Sequence, residues 1–163
     1  MLILGLDPGT ALTGWGIVGE EKGSPQVIAY GCIETDKKKS DVERLEETAA
    51  DLRVIIEKYQ PTETAIEELF FFKNLKTAIK VAQSRGVLML TAAEAGLPVA
   101  EYTPLQVKQA LTGYGRAAKR QMQEMVKNIL NLKTIPKPDD AADALAVALC
   151  HQQSYKVLKR MPK

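Results

Sequence analysis

The chain has 163 residues, 45% of them hydrophobic and 26% charged, with a formal net charge of +2. That length suits one domain around one core, and the composition excludes a disordered, collagen-like or disulfide-built protein; no apolar run reaches the roughly 18 residues of a membrane span. The small net charge conceals an asymmetry: residues 1–102 hold 11 basic and 16 acidic side chains, net −5, whereas residues 103–163 hold 11 basic and four acidic, net +7. A polyanion would meet the C-terminal third, although solvated helix faces account for charge alone equally well.

Residues 2–6 are an apolar run closed by Asp7-Pro8-Gly9, which reads as a buried strand ending in a turn. Thr13 to Val18 and Val27 to Glu34 are β-rich and separated by Glu20 to Pro25, so the first 35 residues form a meander of three antiparallel strands. Ser40-Asp41-Val42-Glu43 is a capping box, and Val42, Leu45, Ala49, Leu52, Ile56 and Tyr59 recur at helical spacing until Pro61; that stripe should face the sheet. Thr62 to Ile66 is a second buried strand, ending on Glu67, and strand, helix, strand predicts a right-handed parallel crossover. Asn74 caps a helix that presents Leu75, Ala78, Ile79, Ala82, Val87, Leu90 and Ala93 and stops at Gly96-Leu97-Pro98. Val99 to Tyr102 is a fifth strand. Thr103-Pro104-Leu105-Gln106 opens a helix to about Leu111, Gly113-Tyr114-Gly115 breaks it, and residues 118–130 resume. A last helix is expected from Asp139 or Asp140 to about Gln152, followed by a basic, flexible tail at 156–163, with residues 1–155 as the single domain. The expected fold is α/β: a mixed five-stranded sheet, three antiparallel strands then two parallel, with helices on both faces. Met1 to Thr10 has the makings of neither leader nor anchor, so the chain is expected in the cytoplasm and off the membrane.

Four carboxylates stand out against this frame. Asp7 and Glu67 end two strands expected to be neighbours, at the carboxyl edge where open α/β sheets gather functional groups. Asp140 and Asp143 lie at i and i+3 on one face of a helix start, where Ala141 and Ala142 allow close packing on the sheet. Taken singly, an Asp before Pro-Gly is a turn former and an Asp at a helix start is a cap. Glu68 and Asp139 compete with Glu67 and Asp140, since strand alternation admits only one glutamate and a helix turns about 100° per residue. Acids without nearby His or Cys suit Mg²⁺, which takes few carboxylates and keeps several waters, and disfavour zinc. Two such ions about 3.5–4 Å apart can activate water and stabilise the leaving oxygen of a phosphodiester. His151 should project away from Asp143 as a core or surface residue, and Cys32 and Cys150 are expected to be reduced and chemically silent. Phe70-Phe71-Phe72 cannot all point inward, so at least one ring should be free to stack on an unpaired base. Lys108, Arg116, Lys119 and Arg120 surround the Gly113-Tyr114-Gly115 break and suit phosphate contacts.

With these residues assembled, the chain resembles the RuvC family of Holliday junction resolvases over nearly its whole length. The resemblance runs through ILGLDPGTALTGWGI at 3–17, AIEELFFFKN at 65–74, QSRGV at 83–87, QVKQALTGYG at 106–115 and DAADALAVA at 140–148. It implies a ribonuclease H-like fold and a catalytic tetrad of Asp7, Glu67, Asp140 and Asp143 holding two Mg²⁺ ions, with Mn²⁺ as a substitute. By the same carry-over Phe70 contacts the junction, and Lys108 and Lys119 lie near the scissile phosphate. It further implies a homodimer that nicks four-way junction DNA in pairs during recombination and repair, alongside a branch-migration helicase complex of the RuvA and RuvB type. Two other readings compete. DPGTALTGWGI also resembles the first phosphate loop of actin-like ATPases, which need a second such domain, and the same fold could serve a non-catalytic junction-binding protein.

Overall fold

A computed structural model describes residues 1–69 and 75–160, with the side chains of 156–160 left out. The strands are β1 (Ile3–Asp7), β2 (Leu12–Glu21), β3 (Ser24–Glu34), β4 (Glu63–Glu67) and β5 (Val99–Tyr102); the helices are α1 (Asp41–Tyr59), α2 (Leu75–Glu94), α3 (Pro104–Thr112), α4 (Lys119–Ile129) and α5 (Asp139–Arg160). They form one mixed sheet in the order β3-β2-β1-β4-β5, with β1 antiparallel to β2 and parallel to β4, and β4 parallel to β5. This is the ribonuclease H-like arrangement that the resemblance implies.

Each face of the sheet carries its own core. Leu4, Leu6, Ile17, Ile33 and Ile66 pack on Leu52, Ile55 and Ile56 of α1 and Leu88 of α2. Ile3, Val18 and Ala65 face the opposite way, onto α3, α4 and the buried run Leu145 to Cys150 of α5. Adjacent strand residues thus serve opposite layers, as the two-residue pleat requires.

Local chemistry sets the element ends. Both expected capping boxes form, Ser40 with Glu43 at α1 and Thr103 with Gln106 at α3. The β2–β3 hairpin is tighter than expected: Lys22 and Gly23, both at positive φ (49° and 84°), make a two-residue turn, so the strands absorb Glu20, Glu21, Ser24 and Pro25. α5 extends to Arg160 instead of ending near Gln152. The α1 stripe differs from expectation at its start. Val42 is 65% exposed, because α1 turns Thr48, Ala49, Leu52, Ile55 and Ile56 inward. On α2 the buried residues are Ala78, Ser84, Leu88, Thr91 and Ala92, while Leu75, Ile79 and Leu90 face outward. α2 has two apolar faces, and the sheet takes the one with smaller side chains. Asn74 lies outside the described residues.

Candidate active site

The register of β1 against β4 pairs Leu6 with Ile66, so the next residues, Asp7 and Glu67, end adjacent parallel strands about 4.8 Å apart. Alternation then fixes their direction. Leu6 and Ile66 belong to the α1–α2 core, whereas Ala65 belongs to the α5 core, which turns Asp7 and Glu67 toward α5. Glu68 lies beyond the strand end, where its N–H donates to the Tyr102 carbonyl at 2.8 Å.

α5 reaches these strands along a seam of residues without bulk. A Cβ at Gly5 would strike the Ala144 carbonyl and Ala148, one at Gly14 the Asp140 carbonyl, and one at Gly16 the Leu145 side chain. Gly14 is also the register partner of Asp7. The seam therefore seats Asp140 above the Asp7–Gly14 pair, and one helical turn on it brings Asp143 to the same edge. Asp139 turns aside, to Lys137 at 3.2 Å and Lys119 at 3.7 Å.

Crowding of four acids marks this edge electrostatically. Burial, then the charges of Glu67, Asp143 and Asp140, push the Asp7 carboxyl up to about 8, against a smaller opposing pull from Lys119. Burial and Asp143 push Glu67 up to about 7, with Lys108 and Lys119 opposing. Asp143 is raised as well, by burial, despite a 3.0 Å hydrogen bond from the Lys119 ammonium. Burial acts against the charge on Lys119, but the bond to Asp143 and the charges of Asp143, Asp139 and Asp140 outweigh it and raise its pKa.

A cleft of about 220 Å³ opens beside these acids, lined by Glu67, Asp143, Lys108 and Lys119 over an apolar floor that includes Val107 and Met122. α3 and α4 thus bring two of the four expected basic residues to the carboxylates. Arg116 and Arg120 are exposed on the connection and first turn beside them. Phe70 lies outside the described residues. His151 is buried and faces away from the cleft: Nδ1 lies 2.9 Å from the Tyr102 hydroxyl and Nε2 3.8 Å from Glu63. Cys150 is buried and Cys32 half-buried, both unbridged.

Two features carry functional weight that the residue pattern did not single out. Arg85 on α2 donates from Nε to the Glu67 main-chain carbonyl at 3.1 Å and also bonds Glu101 on β5. Arg44 on α1 donates to the Thr35 hydroxyl at 3.1 Å and to the Thr10 carbonyl, which braces the turn after Asp7. Both are long-range contacts, and neither leaves a spacing signal in the sequence.

Comparison with known proteins identifies relatives of the whole chain. The family model described as crossover junction endodeoxyribonuclease RuvC matches residues 3–151. Proteins of that name are similar along almost the whole chain: that of Syntrophomonas wolfei is 54% identical over 96% of this chain and 91% of its own, and that of Halothermothrix orenii 52% identical over 98% and 97%. Among solved structures, Thermus thermophilus RuvC in complex with a Holliday junction substrate superposes with a TM-score of 0.91 at 36% identity, covering 96% of each chain. The yeast mitochondrial Holliday junction resolvase Ydc2 shares the fold, with a TM-score of 0.70 at 12% identity over 96% of this chain and 81% of its own. Fold and sequence similarity coincide, and the chain belongs to the RuvC family of crossover junction endodeoxyribonucleases.

Proposed function

We propose that this protein is a metal-dependent endonuclease that resolves four-way DNA junctions by paired, symmetric nicks, with Asp7, Glu67, Asp140 and Asp143 as its catalytic acids. The observation that carries this reading is the meeting of Asp7 and Glu67, from neighbouring strand ends, with Asp140 and Asp143 from α5, each of Asp7 and Glu67 raised by burial and by the other acids. Acids that repel one another in a partly buried edge gain most from a shared cation.

The donor set fits a hard, hydrated ion. It is all oxygen, although among the described residues no group of three or more His, Cys, Asp or Glu side chains is gathered closely enough to hold a metal ion. An ion that takes one or two carboxylates and fills its shell with water and phosphate oxygens meets that arrangement, which favours Mg²⁺, with Mn²⁺ as substitute, in two positions. When bound, such ions supply an activated water and charge for the leaving 3′ oxygen. The chain's own part is positional. Asp7 and Glu67 are held by the sheet, Asp140 and Asp143 by the α5 seam, and Lys108 and Lys119 border the cleft where a phosphate would lie. Arg116 and Arg120 extend that basic border as phosphate contacts, and Phe70 is the aromatic contact to the junction.

A single site makes one nick, so paired nicks require two copies. The outward Leu75, Ile79 and Leu90 of α2, on the same helix as exposed Ala82 and Gly86, support a homodimer formed through α2. The Thermus thermophilus relative is in complex with a Holliday junction substrate, which supports the same substrate here. Membership of the family supports cooperation with a RuvA- and RuvB-type helicase complex, in the cytoplasm. Among the described residues no helix is long and apolar enough to cross a membrane.

The test is a synthetic four-way junction and a plain duplex, each incubated with the protein with and without Mg²⁺. Wild type should nick the junction symmetrically only with Mg²⁺, and Asp7→Asn should bind it without nicking. Binding without nicking by wild type would leave the non-catalytic reading in place.

A further inference from the structure

Tyr114 stands in the connection between α3 and α4, 47% exposed and yet fixed at both ends. Gly113 closes α3 at φ 81°, with its N–H on the Gln109 carbonyl at 2.9 Å. The Thr112 hydroxyl, with its single hydrogen, lies 2.8 Å from both the Tyr114 and the Lys108 carbonyls. At the far end of the ring, the Tyr114 hydroxyl donates to Gln121 Oε1 at 2.7 Å. Gly115 is packed so closely on Leu105 that a Cβ there would collide with it. The Gly113-Tyr114-Gly115 break is thus a braced segment. Among the described residues no other ring or cation covers the Tyr114 face.

Its surroundings say what such a ring could meet. α3 and α4 carry Lys108 and Lys119 into the cleft from either side of Tyr114, Arg116 and Arg120 are exposed next to it, and residues 103–123 contain no acidic side chain. The partner is therefore a polyanion that also offers a flat apolar face. Single-stranded or branched nucleic acid has both, whereas inside a duplex every base face is already stacked. A ring held in place before binding loses little rotamer freedom on contact, so more of the stacking energy appears as affinity.

We propose that Tyr114 is a stacking platform for a nucleobase exposed at the branch point of the DNA, next to the cleft. This inference rests on the junction-cutting function proposed above.

The test uses a four-way junction with 2-aminopurine at the branch point, in EDTA so that no cutting occurs, and wild type beside Tyr114→Phe, Tyr114→Leu and Tyr114→Ala. Thermal melts establish that the variants fold, as expected for an exposed side chain. Wild type and Tyr114→Phe, which keeps the ring, should shift the 2-aminopurine emission. Tyr114→Leu and Tyr114→Ala should lose that shift and bind about tenfold more weakly. A shift that survives in the Leu and Ala variants, or is absent from wild type bound to the junction, overturns the stacking role. Failure of wild type to bind any junction overturns the function on which it rests.

Discussion

Arg85 Nε donates to the main-chain carbonyl of Glu67 at 3.1 Å, so a guanidinium on α2 holds the end of the strand from which Glu67 projects. The same group bonds Glu101 and is only 17% exposed, which leaves it little freedom. Arg85→Ala is expected to slow single-turnover cleavage of saturating junction by about 10- to 100-fold, because small misplacements of a catalytic group cost that much. Affinity for the junction in EDTA should hold. Arg85→Lys should recover part of the rate, because its ammonium keeps the charge and can donate to one acceptor but lacks the guanidinium fork that spans both. Equal loss of affinity and rate would point to general unfolding of the region instead.

The raised carboxyls make stability depend on pH in a defined direction. Asp7 near 8 and Glu67 near 7 keep their protons in the folded, metal-free protein at a pH where the unfolded chain has already lost them. The folded state binds more protons, so stability falls as pH rises through these values. His151, lowered mainly by burial, acts oppositely, but only below its ordinary 6.5. In EDTA, therefore, the melting temperature should drop between pH 6.5 and 8. Asp7→Asn should remove most of the drop and melt above wild type at pH 8 by about 3 °C, the scale of 1 kcal/mol for this size. Adding Mg²⁺ at pH 8 should raise the wild-type value and leave the variant nearly unmoved. A flat wild-type profile in EDTA would contradict the crowding of the four acids.

Gly14 should tolerate no side chain. Its missing Cβ is occupied by the Asp140 carbonyl, backbone that no rotamer change can move. Gly14→Ala is expected to destabilise by about 1–3 kcal/mol in urea unfolding and to abolish cleavage even where folding is complete, because it lifts Asp140 and Asp143 away from Asp7. A folded, active Gly14→Ala protein would mean that α5 does not rest on β2 there.

The outward stripe of α2 predicts how the protein assembles. Ile79 is 55% exposed and Leu90 60%, so charges there should spare the fold. In sedimentation, wild type should run as a dimer and Ile79→Asp as a monomer with an unchanged far-ultraviolet spectrum. Dimeric Ile79→Asp would move the interface elsewhere.

Sequence patterns carried the sheet because its signals are local. Residues 2–6 are an apolar run ended by Asp7-Pro8-Gly9, Thr62 to Ile66 is a short stretch between Pro61 and Glu67, and alternation along both aims Asp7 and Glu67 at one layer. Lys22-Gly23 hid the tight hairpin, since lysine rarely adopts the positive φ such a turn requires. α5 outran its expected end because nothing breaks a helix between Gln152 and Pro162, and an absent signal marks no boundary. On α2 the helical period runs through Leu75, Ile79 and Leu90 as well as Ala78, but Ala78, Ser84, Leu88, Thr91 and Ala92 are the residues buried. Propensity and period identify a helix without choosing between two apolar faces. Arg85 and Arg44 act on carbonyls distant in sequence, and Tyr114 is braced by a residue seven positions on. Only three-dimensional proximity reveals such pairs.

The seam between α5 and the first strands has a further consequence for how the protein is made. Asp7 leaves the ribosome more than 130 residues ahead of Asp140 and Asp143, which lie on a helix that rests directly on Gly5, Gly14 and Gly16. Until that helix docks, the glycines of β1 and β2 present a bare strip of backbone and the site has only two of its acids. With the four acids proposed above as the catalytic set, a nascent chain that ends before α5 would lack half of them, and docking of α5 would complete fold and site in one long-range step.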